Sequence, residues 1–318
     1  MAIFSIHHIT RYEYSQPVKE SLNQIKIHPL ICPTQEILQH ELIISHHPEL
    51  HLFQDYWGNR IGIFTITEPH KSLSIESKLI VRTLEQNTPD ISSVKMNEFT
   101  IPRNNLLLTE LSLPEQISRQ DEIKKIASSI RQQYQHYVEI IEGCNRYIYE
   151  HFQYIKGITN YETTVDEILE HKSGVCQDFA HVLLQILRTL AIPCKYVSGY
   201  ICPNKNGMRG EGATHAWVEA WIPGYGWAGI DPTNNVWVKD NHVKLSTGRD
   251  FYDCSPVKGT FKGAARQQLS VYVSVGYEDG HTFEEMNNVG MGSATSDESP
   301  VEEEVFIPGI EQQVQQQQ

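Results

Sequence analysis

The stretch SGVCQDFAHVLLQILRTLAIPC, residues 173–194, constrains this chain more than any other. Val175, Phe179, Val182, Leu183, Ile186, Leu187 and Leu190 recur at helical spacing and form one wide apolar stripe. A stripe that wide belongs in a core, and Pro193 stops the helix. Three runs with strand patterning follow: CKYVSGYI (194–201), HAWVEAWI (215–222) and GWAGIDPT (226–233). Period two in HAWVEAWI puts His215, Trp217, Glu219 and Trp221 on one face and Ala216, Val218, Ala220 and Ile222 on the other. The second face is small enough to lie close against a helix. This half of the chain is therefore expected to fold as helices packed on an antiparallel sheet.

The half before it reads differently. In FSIHHITRYEYS, Phe4, Ile6, His8, Thr10, Tyr12 and Tyr14 share a face, as do Leu73, Ile75, Ser77, Leu79 and Val81 in SLSIESKLIVRTL. DYWGNRIGIFTIT reads as a hairpin turning at Gly58-Asn59. Short strands broken by proline and turn residues predict a β-sandwich over residues 1–108. Residues 102–114 read as a linker, residues 119–152 as two helices and residues 164–171 as a short helix. A last strand, LSVYVSVGY (269–277), is assigned to the second domain, residues 115–277. The class is α+β: an N-terminal β-sandwich domain, then a core of helices on an antiparallel sheet. Residues 278–318, acidic and ending in QQVQQQQ, read as an extended or disordered tail.

Charge narrows the function. The net charge is −13, but ten acidic residues and no Lys or Arg lie from Tyr277 onward. The remainder is close to neutral, so no nucleic-acid partner is expected. No apolar run approaches the ~20 residues of a membrane helix. The first residues show neither a basic leader nor an apolar run, so a cytoplasmic protein without a membrane partner is expected. Six cysteines are scattered without CxxC pairs, which argues against a disulfide framework and against zinc. No DxDxDG loop is present, and no metal or other cofactor is expected.

Chemistry points to Cys176. With Ser173 as N-cap, this cysteine falls near the third helical position, where unpaired N–H groups and the helix dipole favour an anion. Free cysteine is also a common packing residue. His215 opens a strand after a Gly-rich loop, where it can serve as a base or merely as a surface residue. Asp231 ends the following strand. A hairpin with Ile222 opposite Trp227 would set residue 218 against 231, and a bulge or stagger would then bring the carboxylate beside His215. Alternatively, Asp231 caps the turn made by Pro232-Thr233-Asn234.

Taken together, GVCQDFAHVLLQILRTLAIPCKYVSGY, THAWVEAWIPGYGW and IDPTN resemble the transglutaminase-like superfamily, with its papain-like core, over residues 125–235. HHITRYEYSQPV and DYWGN resemble the β domain that precedes this core in bacterial relatives. The resemblance implies a catalytic triad of Cys176, His215 and Asp231. It implies a cysteine enzyme acting on a protein or peptide substrate through a thioester, either a protease or amidase, or a transglutaminase that passes the acyl group to an amine. Gln177 and Trp217 are oxyanion or cleft candidates. Asp178 and His181 read as structural. The competing expectation is a non-catalytic binding or scaffold protein on the same fold.

Overall fold

The computed structural model describes residues 2–90, 94–98, 101, 104–159, 163–202, 208–210 and 213–277, and the backbone of 282–289. Strands β1 (Ala2–Val18), β2 (Glu20–Ile25), β3 (Gln35–Ile44), β4 (His51–Gln54), β5 (Arg60–Ile66) and β6 (His70–Thr83) come first. The alternating residues of β1 and β6 named above are all buried, so period two marks the inner face of the sandwich.

The middle of the chain is helical: α1 (Leu106–Leu111), α2 (Gln120–Gln133) and α3 (Tyr137–His151). Strand β7 (Gln153–Tyr154), α4 (Val165–His171) and β8 (Ser173–Gly174) lead into α5 (Cys176–Thr189). Helix α1 lies where the sequence reads as a linker; the Asn105 side chain caps it by accepting from the Leu108 N–H at 3.0 Å. Strands β9 (Cys194–Ile201), β10 (Thr214–Ile222), β11 (Gly226–Asp231), β12 (Val236–Trp237) and β13 (His242–Gly248) form one sheet in the order β12-β11-β10-β9-β13. Ala216, Val218, Ala220 and Ile222 share a core with Phe179, Val182, Leu183 and Ile186, which is the helix-on-sheet packing that the small-residue face predicts.

Helix α6 (Phe251–Cys254) is followed by β14 (Val257–Lys262), β15 (Gln267–Tyr277) and β16 (Thr282–Val289). Here the structure corrects the sequence reading. Strand β15 belongs to the first unit, pairing antiparallel with β1 from Phe4↔Tyr277 to Tyr14↔Gln267. Strand β14 pairs with β2. The sandwich is therefore a sheet β16-β15-β1-β6-β3 facing a sheet β14-β2-β5-β4, closed by strands from both ends of the chain. The physical reason is that β1 has two free edges, and β6 can fill only one of them. Within the tail expected to be extended or disordered, Thr282–Val289 is extended backbone and pairs with β15 as β16. Residues 278–281 and 290–318 lie outside the described residues.

Tyr200, Val243 and Leu245 of the second sheet, with Cys202 just past β9, join the sandwich core. The β unit is thereby fused to the sheet that carries His215. Among the described residues, no helix is long and apolar enough to cross a membrane.

Candidate active site

Cys176 is the first helical residue of α5, and Val175, not Ser173, holds the N-cap position. Ser173 and Gly174 instead form β8, parallel to β7. The local sequence explains this start. The Asp178 carboxylate folds back so that Oδ2 accepts the Val175 N–H at 2.8 Å and the Thr159 hydroxyl at 2.7 Å. A Cβ at position 174 would lie 2.5 Å from that Oδ2, so glycine is required there. Burial pushes the Asp178 carboxyl up to about 6, against the pull of its two donors.

His215 and Asp231 reach each other by a register one residue off the expected one. Ile222 pairs with Gly226, Trp221 with Trp227 and Val218 with Ile230. One step further places Asp231 opposite Trp217, on the face that also carries His215, so no bulge is needed. The turn sets this register. Gly224 and Gly226 both have positive φ (80° and 100°), and the Tyr225 N–H bonds the Ile222 carbonyl at 3.1 Å.

His215 Nε2 lies 2.9 Å from Asp231 Oδ2, and both side chains are fully buried. By elimination Nδ1 faces Cys176. Cys176 is close enough to act on the ring, and Nδ1 makes no hydrogen bond among the described residues. Burial alone would lower the imidazole's pKa. Asp231 and Cys176 outweigh it and raise His215 to about 10. Asp231 itself is held well below the usual carboxylate range: burial opposes its charge, and the two histidines beside it prevail.

The carboxylate accepts on both oxygens. Asn234 Nδ2 donates to Oδ2 at 2.8 Å. The Thr233 and Asn234 N–H groups bond Oδ1 at 2.8 and 3.3 Å. His242 Nε2 stands 3.4 Å from Oδ2. Thus Asp231 both caps its turn and faces His215, so the two readings of the sequence hold together. Asn234 also grips the backbone of Arg209, accepting its N–H at 2.7 Å and donating to its carbonyl at 3.2 Å. The nearby ligand atoms of His215, Asp231 and His242 lie within 4.8 Å of one another, close enough to share a metal ion. They come from three strands, so no sequence spacing announces them.

Of the remaining candidates, Trp217 is fully buried, stacked on His215 at 6.4 Å and edge-on to His242 at 5.1 Å. It supports both rings from within the core. Gln177 is also buried, and its Oε1 has no partner. His181 accepts the Phe251 N–H at 3.3 Å and packs on Tyr196, a structural position. Sequence reasoning missed His242, Asn234 and Gly210. Asn234 had a signal, because it closes the IDPTN segment; His242 had none.

Residues 124–232 match the transglutaminase-like superfamily, and residues 4–82 match the bacterial transglutaminase-like N-terminal region. An uncharacterized protein of Mycobacterium leprae is 30% identical over 276 residues, covering 84% of this chain and 96% of that one. One from Mycobacterium tuberculosis is 32% identical over 274 residues, covering 80% and 86%. A protein-glutamine gamma-glutamyltransferase of Pseudomonas aeruginosa is 35% identical over 98 residues, but these span 29% of this chain and 15% of that enzyme. A solved structure from Cytophaga hutchinsonii, described as a proposed cysteine protease, shares the fold: TM-score 0.66, 23% identity, 94% of each chain covered.

Proposed function

This chain belongs to the transglutaminase-like superfamily, and from that premise we propose that it is a cysteine enzyme acting on peptide or carboxamide bonds through a thioester. The observation that carries the reading is the order Cys176, His215, Asp231. A thiol at a helix start meets one side of an imidazole whose other nitrogen is held at 2.9 Å by a buried carboxylate.

In this reading His215 takes the thiol proton, and Asp231 fixes the tautomer and steadies the imidazolium. The thiolate attacks the carbonyl carbon, and the C=O electron pair moves onto oxygen. The backbone N–H of Cys176, at the first position of the helix, is a candidate donor for that oxyanion, and Gln177 is a second. His215 then protonates the leaving amine, and the C–N bond breaks to leave a thioester. Water completes a hydrolysis; an amine completes a transamidation. The local similarity to a protein-glutamine gamma-glutamyltransferase favours the second outcome, and the first needs only solvent. Six free cysteines fit a reducing, cytoplasmic compartment. The steps written here call on no metal or other cofactor.

A second reading has one observation in its favour. Cys176 is 1% exposed and His215 0%, so the thiol is covered in this state. That suits a scaffold as well as an enzyme that opens for substrate. Alkylation of Cys176 by iodoacetamide, followed by mass spectrometry in wild type and in His215→Ala, separates the two. Rapid alkylation at neutral pH, slowed about tenfold or more by the substitution, supports the enzyme. A thiol protected at every pH in both proteins favours the scaffold. A glutamine-peptide and amine screen then sorts hydrolysis from transfer.

A further inference from the structure

Asp231 is the best-bonded side chain in the candidate site, and one of its partners has no place in a three-residue mechanism. His242 opens β13, is 3% exposed, and sets Nε2 3.4 Å from the same Oδ2 that faces His215. The two imidazoles lie 6.1 Å apart, and Trp217 touches both. A histidine buried only to fill space would not need its polar edge on the triad's acid.

We propose that His242 is a positioning residue: a second histidine that donates Nε2–H to Asp231 and fixes how the carboxylate meets His215. The proposal rests on the triad reading above and deepens it.

The protonation state follows from the surroundings. The groups that act on His242 are Asp231 on β11, His215 on β10 and Lys244 on its own strand. Burial lowers its pKa, with the charges of His215 and Lys244 acting the same way, and Asp231 opposes them without prevailing. His242 is therefore neutral, with one N–H to place. Asp231 is ionised and can only accept, so that proton sits on Nε2. Nδ1 must then accept. Asn241 Oδ1 is set 3.0 Å from it, with Nδ2 towards Met208 Sδ, so donation from Nε2 requires that amide to turn over and present its NH2 to the ring. A protonated His242 would instead compete with His215 for the same negative charge. Neutral, it takes a share of the carboxylate's hydrogen-bonding capacity and leaves the ion pair to His215.

This gives a direction. Without the donor, the Asp231 charge is less dispersed and holds the His215 imidazolium harder. The thiolate–imidazolium pair then persists to lower pH. The experiment is the pH profile of Cys176 alkylation in full-length wild type, His242→Phe, His242→Met and His242→Gln, with melting curves for each. Both donor-free variants should move the half-maximal pH down by about half a unit or more. His242→Gln carries an amide N–H near the Nε2 position and should restore the wild-type profile. Two donor-free side chains of different shape guard against one failing to fold. A profile that stays put in the donor-free variants overturns the proposal, as does one that moves equally in all three. His215→Ala, run alongside, keeps the premise separate. If it leaves alkylation unchanged, the triad reading fails; if it slows alkylation while His242 variants do nothing, only this inference fails.

Discussion

Gly210 covers the ring of His215. Its φ is +76°, and a Cβ built on it would stand 3.2 Å from Nδ1, the nitrogen that faces Cys176. The backbone of Arg209 is clamped to Asn234, which is itself bonded to Asp231, so this cover is tied to the carboxylate that meets His215. Gly210→Ala should therefore act twice. The left-handed conformation costs a non-glycine residue about 1–2 kcal/mol. The methyl group also crowds the imidazole. The expected outcome is a modest drop in melting temperature with a larger drop in Cys176 alkylation at neutral pH. Equal, small effects on both would mean that the glycine serves only the turn.

Asp178 sets a second expectation, in pH. Its folded pKa, raised by burial to about 6, lies above the usual ~3.9. The folded state thus holds the proton more tightly, and stability falls as pH rises from about 4 to about 6. In Asp178→Asn the amide oxygen can still accept from both Val175 and Thr159, because both bond one oxygen, Oδ2. The variant should gain on wild type by about 2–3 kcal/mol between pH 4 and pH 7. Urea unfolding at the two pH values measures it. A constant gap would place Asp178 in the ionised state throughout.

What the sequence disclosed, and what it hid, divides along physical lines. Period two and period 3.6 reveal which face of an element is buried, so the helix α5, the sheet face of Ala216 and Val218, and the inner face of β1 were legible. Residue type and local position made Cys176, His215 and Asp231 candidates, and the resemblance joined them; the fold brings His215 and Asp231 to 2.9 Å, while their joint catalytic role is the proposal above. Pairing partners were not. Nothing in LSVYVSVGY says whether it pairs with β1 or with the second sheet, since either offers an apolar face. The hairpin register was missed by one because two glycines, Gly224 and Gly226, reshape the turn. His242 was invisible because its role depends on β13 lying beside β9, a contact between segments 40 residues apart that only the folded sheet creates.

Gly199 shows how closely Trp217 is held. A Cβ there would lie 2.1 Å from the Val243 carbonyl oxygen and 2.6 Å from the Trp217 ring. The carbonyl belongs to the neighbouring strand and the ring is fully buried, so neither can give way. Gly199→Ala should lose about 4 kcal/mol or more, or fail to accumulate as folded protein. Gly224→Ala, at a position with open space around it, should cost only the left-handed strain of about 1–2 kcal/mol. Comparable losses in the two variants would remove steric crowding as the explanation.

Glu219, two residues past Trp217 on the same face of β10, is buried between two lysines. Lys244 bonds one carboxylate oxygen, and Lys195 lies 2.9 Å from the other. Burial pushes the carboxyl up, but the two ammonium groups prevail and hold it near about 2. A depressed folded pKa adds stability that is present above the ordinary glutamate value and is lost as pH falls from about 4 towards 2. Glu219→Gln strands the Lys244 charge in the core and should cost about 3–5 kcal/mol at pH 7. Lys195→Ala should cost much less, because that side chain is 17% exposed and the remaining pair is intact. Replacing Glu219 and Lys244 together by leucine removes both buried charges and should recover most of the loss. Chemical unfolding of the three variants decides it: a double variant as unstable as Glu219→Gln would mean that the pair, and not merely its mutual neutralisation, holds the sheet behind Trp217.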